Sequence, residues 1–205
     1  MKLYVADRTP GPRIAKNLVA IKKLNVEFVN VDVMNKENRG EAFLKLNPAG
    51  QVPCLELDDG KVISEVTAIA EYFEELSPDP VFVGRDAGER AETRMWMRRA
   101  DLKVISPMGL GFQHGNGASF FSGRIPIHDD LSAPSIKMAN EGIAWFNEQL
   151  KDRSFLCGDR ATYADIVFYV FVWFFGKTGH AIDPSATAFL DYMKRMEDHA
   201  FTQEK

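Results

Sequence analysis

The stretch NPAGQVPCLELDDG, Asn47 to Gly60, decides the fold. Pro53 has no N–H for a sheet ladder, so it belongs at the start or edge of a strand. PCLEL (53–57) and KVIS (61–64) flank Asp58, Asp59 and Gly60, and Asp-Gly between two such runs is a strong hairpin signal. Upstream, LYVA (3–6), the helix-periodic IAKNLVAIKKL (14–24) and the alternating VEFVNVDV (26–33) form a βαβ unit. A short helix, EAFLKLN (41–47), joins that unit to the hairpin. Downstream, EVTAIAEYFEEL (65–76) spaces Val66, Ile69, Ala70, Phe73 and Leu76 along one helix face and closes the domain.

Beyond this point the pattern changes. SPDPVFVGRD (77–86) sustains neither period and contains two prolines and a glycine, so it reads as a linker. We place an α/β domain at 1–77, the linker at 78–87 and an all-α domain at 88–205. Its helices are expected at 89–105, 135–150, 162–175 and 186–196, and the Gly-, Ser- and Pro-rich interval 106–134 is expected to break or distort the long first helix.

Composition narrows the function classes. The 205 residues are 45% hydrophobic, enough for a packed core. A net charge of −4 gives no general basis for nucleic-acid or anionic-membrane binding. The longest apolar run, Ile166 to Phe175, is well short of the roughly 20 residues needed to cross a bilayer, so it reads as a buried helix. Cys54 and Cys157 lie far apart without metal-ligand spacing, and no metal is expected. Nothing at the N-terminus resembles a signal peptide, which makes the cytoplasm the expected location.

Four motifs carry a family resemblance: TPGPRIAK before the first helix, NPAGQVPCLELDDG, EVTAIAEYF (65–73) and FLCGDRATYADI (155–166). In these and in its element order the chain resembles the cytosolic glutathione transferases end to end. Among them it is most similar to a fungal and bacterial branch with TPxGP-type helix entrances. The resemblance implies a thioredoxin-like N-terminal domain, a helical C-terminal domain, glutathione as co-substrate and a homodimer.

It also implies residue roles. The Val52-Pro53 bond matches the family's cis-proline, whose neighbour, here Val52, pairs through its backbone with the cysteinyl part of glutathione. Gln51 and Asn38 join the glutathione site, Gln51 at the glycyl end. Glu65 accepts from the γ-glutamyl ammonium, and residues 66 and 67 receive its carboxylate at a helix N-terminus. That end is an anion site on physical grounds too, with Ser64 as the expected cap. Many members carry serine where this chain has Val66, and a lost hydrogen bond to a charged group weakens binding by roughly 1.5 to 3 kcal/mol unless Thr67 compensates. Asp101 stands where an acidic residue of a neighbouring subunit approaches the ammonium; its other reading is a surface carboxylate paired with Arg98 or Lys103.

Thr9 aligns with the serine or cysteine used on glutathione sulfur in other members, with Gly11 as cap and Pro12 as first helical residue. Its alternative role is a side-chain turn before Pro10. Lowering a thiol pKa from about 8.5 to ~6.5 raises thiolate at pH 7 roughly 25-fold. A Brønsted coefficient near ~0.45 then removes about 8-fold in nucleophilicity, leaving only about threefold. Larger acceleration comes from holding the electrophile, for which Phe112, His114, Phe120, Phe121 and Trp173 are the candidates, and aromatic lining suits an apolar substrate. His114 either orients a leaving group or water, or is a solvated loop histidine. Glutathione-dependent dehalogenation, ether cleavage and a non-catalytic binding protein of the same fold stay open beside conjugation.

Overall fold

The computed structural model describes residues 1–199. They divide into two compact units, the first ending at Phe82 and the second beginning at Val83. The first unit contains a four-stranded sheet in the order β2, β1, β3, β4. β1 (Lys2–Val5) runs parallel to β2 (Glu27–Asn30) and antiparallel to β3 (Cys54–Glu56), which pairs with β4 (Val62–Ser64). Helices α1 (Pro10–Lys22), α2 (Glu41–Leu46) and α3 (Val66–Leu76) complete it. This is the expected glutathione transferase half, strand by strand and helix by helix.

Alternation along β1 explains the layering. Leu3 and Val5 are buried with Ile14, Leu18, Ile69 and Phe73 from the two long helices. Tyr4 points to the other face and meets Phe43 of α2 edge-on, beside the smaller cluster of Ala6, Val31, Val33 and Cys54. The hairpin turn forms as the Asp-Gly signal predicts: Gly60 takes φ +83°, and the Leu57 N–H reaches the Lys61 carbonyl at 2.8 Å.

The start of the linker is tied down by a buried ion pair. Lys22, at the end of α1, donates to the Glu74 carboxylate and to the carbonyls of Ser77 (2.7 Å) and Pro80 (2.6 Å). Glu74 in turn accepts from the Phe82 N–H. Every ammonium proton therefore has an acceptor, the condition under which a buried charge is tolerated.

The second unit is helical: α4 (Ala87–Ala100), α5 (Ser106–Gln113), α6 (Ala118–Phe121), α7 (Ser132–Gln149), α8 (Tyr163–Lys177) and α9 (Thr187–Asp198). Of the expected break or distortion of the long helix, the structure shows a distortion at its onset and an end at Gln113. Helix persists to Gln113, because a π turn at Asp101–Ile105 absorbs the proline. In that turn the Ser106 N–H reaches back five residues to the Asp101 carbonyl. Pro107 leaves the Lys103 carbonyl without a helical donor. That oxygen faces Gly142 of α7, where an added Cβ would stand 2.1 Å from it, so only glycine lets the helices approach.

α8 is buried on nearly every side, and its capping box is present as read from the sequence. The Asp165 carboxylate accepts from the Thr162 N–H (2.9 Å), the Leu156 N–H (2.8 Å) and the Tyr192 hydroxyl (3.2 Å). Burial nevertheless pushes Asp165 up to about 6, against the lowering effect of these bonds. Below the unfolded value of 3.8 both states are protonated; as pH rises toward 6 the unfolded chain loses its proton first, and stability falls. The stability difference between wild type and Asp165→Asn should shift against wild type by about 2 kcal/mol between pH 4 and pH 7, measured by urea unfolding. A flat difference would show that the carboxylate is not destabilised by burial.

Candidate functional site

The first unit gathers three features around one loop. Asn47 and Asn38 clamp the loop from behind: the Asn47 side-chain amide donates to the Gln51 carbonyl at 2.8 Å, and that of Asn38 to the Gly50 carbonyl at 2.7 Å. Asn38 is 7% exposed, so it shapes the loop rather than presenting itself to a ligand. Gln51 is exposed, and the Val52-Pro53 bond is cis. Among the described residues, neither the N–H nor the carbonyl of Val52 has a hydrogen-bond partner. An adjacent donor and acceptor left open is half of a strand pairing, ready for an extended peptide.

The second feature is the start of α1. A Cβ on Gly11 would lie 2.8 Å from Pro53 Cδ and 3.6 Å from the Val52 carbonyl oxygen, which puts the helix end directly against the open backbone. The structure moves the cap two residues upstream of the expected Gly11: Thr9 is the N-cap and Pro10 the first helical residue. Thr9 makes no side-chain cap; its hydroxyl donates to the Ala6 carbonyl at 2.8 Å, closing the turn. With prolines at 10 and 12 and the Arg13 N–H bonded to the Thr9 carbonyl, the amide of Gly11 is the sole open N–H donor of this first turn.

The third feature is the start of α3. Glu65, not Ser64, is the N-cap, with φ +69° and ψ 118°, a conformation that costs a non-glycine residue energy. Its side chain is exposed, with no hydrogen-bond or ion-pair partner among the described residues. The first intrahelical bond belongs to Ile69, leaving the N–H groups of Val66, Thr67 and Ala68 open beside the Glu65 carboxylate. Such a pairing suits a zwitterion: a carboxylate on the amides and an ammonium on Glu65.

Arg39 is the residue that sequence reading missed. Its guanidinium lies 3.4 Å from the Ala49 carbonyl and packs on Gly50, next to Gln51. Neither Tyr4 nor Cys54 is suited to act on the glutathione sulfur. The Tyr4 hydroxyl donates to Glu56 at 2.8 Å, and burial plus that carboxylate push it up to about 12. Cys54 is fully buried and pushed up to about 11, chiefly by burial.

In the second unit Phe112, Phe120 and Phe121 form one aromatic cluster with Phe174 and Phe175. Phe112 lies over Gly117, where a Cβ would meet its ring at 2.8 Å. It also borders a small cavity of about 30 Å³ with Met108, Ile136, Phe175 and His180. The Trp173 ring carries Lys177, whose ammonium stands 5.8 Å from its centroid. The reading of His114 as a solvated loop histidine is corrected: it is 7% exposed, and its Nδ1 accepts from the His128 N–H at 3.2 Å. The neutral ring therefore carries its proton on Nε2, as a donor. Asp101 is engaged within its own chain by Arg98 and Ser106, both at 2.7 Å.

Comparison with known proteins shows the family. A family model for the glutathione S-transferase N-terminal domain matches residues 13–76, and one for the C-terminal domain matches 129–195. A crystal structure of a glutathione S-transferase domain-containing protein from Marinobacter aquaeolei is 31% identical, with a TM-score of 0.93 over 99% of this chain and 100% of that one. The chain belongs to the glutathione S-transferase family. Gtt2 of Saccharomyces cerevisiae superposes on this transferase with a TM-score of 0.91 at 27% identity, over 98% of both chains. Maleylacetoacetate isomerase of Pseudomonas aeruginosa is 28% identical over 188 residues, covering 89% of this chain and 85% of that protein. The transferase is an enzyme of glutathione, and among its described residues no group of three or more His, Cys, Asp or Glu could hold a metal ion.

The contact between Gly11 and Pro53 makes a direct prediction. Gly11→Ala should raise the Kd for glutathione severalfold, measured by calorimetry, because the added methyl must push α1 away from Val52. Unchanged affinity would mean that the close approach does not define the site.

Proposed function

We propose that this glutathione transferase holds glutathione along the Pro53 loop and adds its thiolate to an apolar electrophile. The observation that carries this reading is the open N–H and carbonyl of Val52, set against the N-terminus of α1, with exposed Glu65 following Ser64, the strand partner of Cys54. Glutathione's cysteinyl backbone pairs with Val52. Its γ-glutamyl carboxylate takes the amides of Val66 and Thr67, and its ammonium takes Glu65. Arg39 and Gln51 meet the glycyl carboxylate. Val66 supplies no hydroxyl, so recognition at that end rests on backbone amides.

The sulfur then faces the start of α1. Deprotonation needs a donor for the thiolate, and the Gly11 N–H is available without breaking an existing bond. Thr9 would have to release the Ala6 carbonyl to donate, so its first role is the turn. We take the second unit's aromatic cluster as the holder of the apolar electrophile. A homodimer in the cytoplasm is the working form of this proposal.

The test is a calorimetric titration with glutathione followed by an assay with a model aryl halide. Wild type should bind glutathione and conjugate it, and Thr9→Ala should keep kcat/KM within about tenfold. Failure to bind glutathione would overturn the reading, whereas a much larger loss in Thr9→Ala would restore the hydroxyl as the sulfur's donor.

A further inference from the structure

Outside the glutathione site, the second unit carries a row of cations stacked on tryptophan. Trp96 of α4 and Trp145 of α7 lie with ring centroids 6.0 Å apart. Arg99 stands over both rings, 4.8 Å from Trp96 and 5.9 Å from Trp145. Lys103 covers Trp145 at 4.8 Å, and Arg153 covers Trp96 at 4.9 Å. The order along the row is therefore Lys103, Arg99, Arg153.

These three cations have no carboxylate within ion-pair distance among the described residues, in a chain whose net charge is −4. Glu141 of α7 is exposed with no ion pair among the described residues, while other acidic groups near the row are taken by other cations. Arg98 holds Asp101, Lys151 holds Glu148, and Arg160 holds Glu92. Asp152 is exposed beside Arg153 without an ion pair to it. The indole N–H of the buried Trp96 also lacks an acceptor. The row thus presents three cations with no carboxylate partner among the described residues, and half-buried Trp145 gives it apolar area. Tryptophan and arginine are the residues that dominate protein interfaces.

We infer that this α4–α7 face docks an extended acidic segment of a partner protein. A compact anion such as phosphate would need the three cations to converge on one point, and here they are strung over two rings. Nucleic acid spaces its charges too densely for a three-cation row, and would bring phosphates against Glu148 and Asp152. A peptide can set a carboxylate opposite each cation and leave gaps elsewhere. Aromatic stacking holds the guanidinium planes in place, which lowers the ordering cost on binding.

The test uses the full chain and a hexaglutamate peptide, read by intrinsic tryptophan fluorescence. A saturable change is expected below about 1 mM peptide, weakening as salt is added. Lys103→Glu, on an exposed side chain, should weaken binding by about tenfold. The triple variant R99Q/K103Q/R153Q should abolish it while glutathione transfer is retained. No saturable change, or one that survives Lys103→Glu, would overturn the inference. Equal binding of a hexathymidylate would reassign the face to nucleic acid. Sedimentation in which the triple variant is monomeric where wild type is dimeric would reassign it to contact between copies of this chain.

Discussion

The contact between Gly11 and Pro53 is the constraint on which the rest of the glutathione-binding unit depends. It brings the end of α1 against a loop whose carbonyls at Gly50 and Gln51 are already held by asparagine side chains. Only Val52 is then left with its donor and acceptor open. β1 fixes where this happens, since the register Tyr4 to Cys54 anchors the strand just beyond Pro53 while α1 begins five residues after β1 ends. The ion pair of Lys22 and Glu74 holds the other end of α1 against α3. Both helices are thereby set relative to the sheet, and their N-termini become two ends of one binding surface.

Those two helix ends are not equivalent, and the difference shapes the chemistry. α3 offers three open amides beside an exposed carboxylate, enough to recognise both charges of an amino acid. α1 has lost two amides to proline and offers one. In the proposed binding mode, the γ-glutamyl end takes most of the polar contacts and ionisation of the thiol is only moderately favoured. Because acidity alone yields about threefold in rate at neutral pH, this is a small sacrifice. Alignment of sulfur and electrophile is where the larger factor lies.

Much of the fold was legible because its signals are local. The Asp-Gly hairpin, the capping box of Thr162 and Asp165 and the alternation in β1 each depend on residues within a few positions. The helical interval after residue 105 was not legible, since Pro107, Gly109 and Gly111 read as breakers. What overrides them is tertiary: a π turn that absorbs the proline, and Gly142 from another helix that admits the Lys103 carbonyl. The same limit applies at the site. Val52, Glu65 and Gln51 are proposed from motifs, and the turn at Thr9 is one of that residue's two readings, whereas the clamp by Asn47 and the cation at Arg39 come from contacts that spacing does not encode. His114 looked solvated because its partner, the His128 backbone, lies 14 residues away.

The central claim is that the start of α1, rather than the Thr9 hydroxyl, governs ionisation of bound glutathione. Titration of the bound thiol by its ultraviolet thiolate absorbance, in wild type and in Thr9→Ala, tests it most directly. The account predicts a thiol pKa below that of free glutathione in both proteins, with nearly the same shift. A shift that disappears in Thr9→Ala, or is absent from wild type, would contradict it.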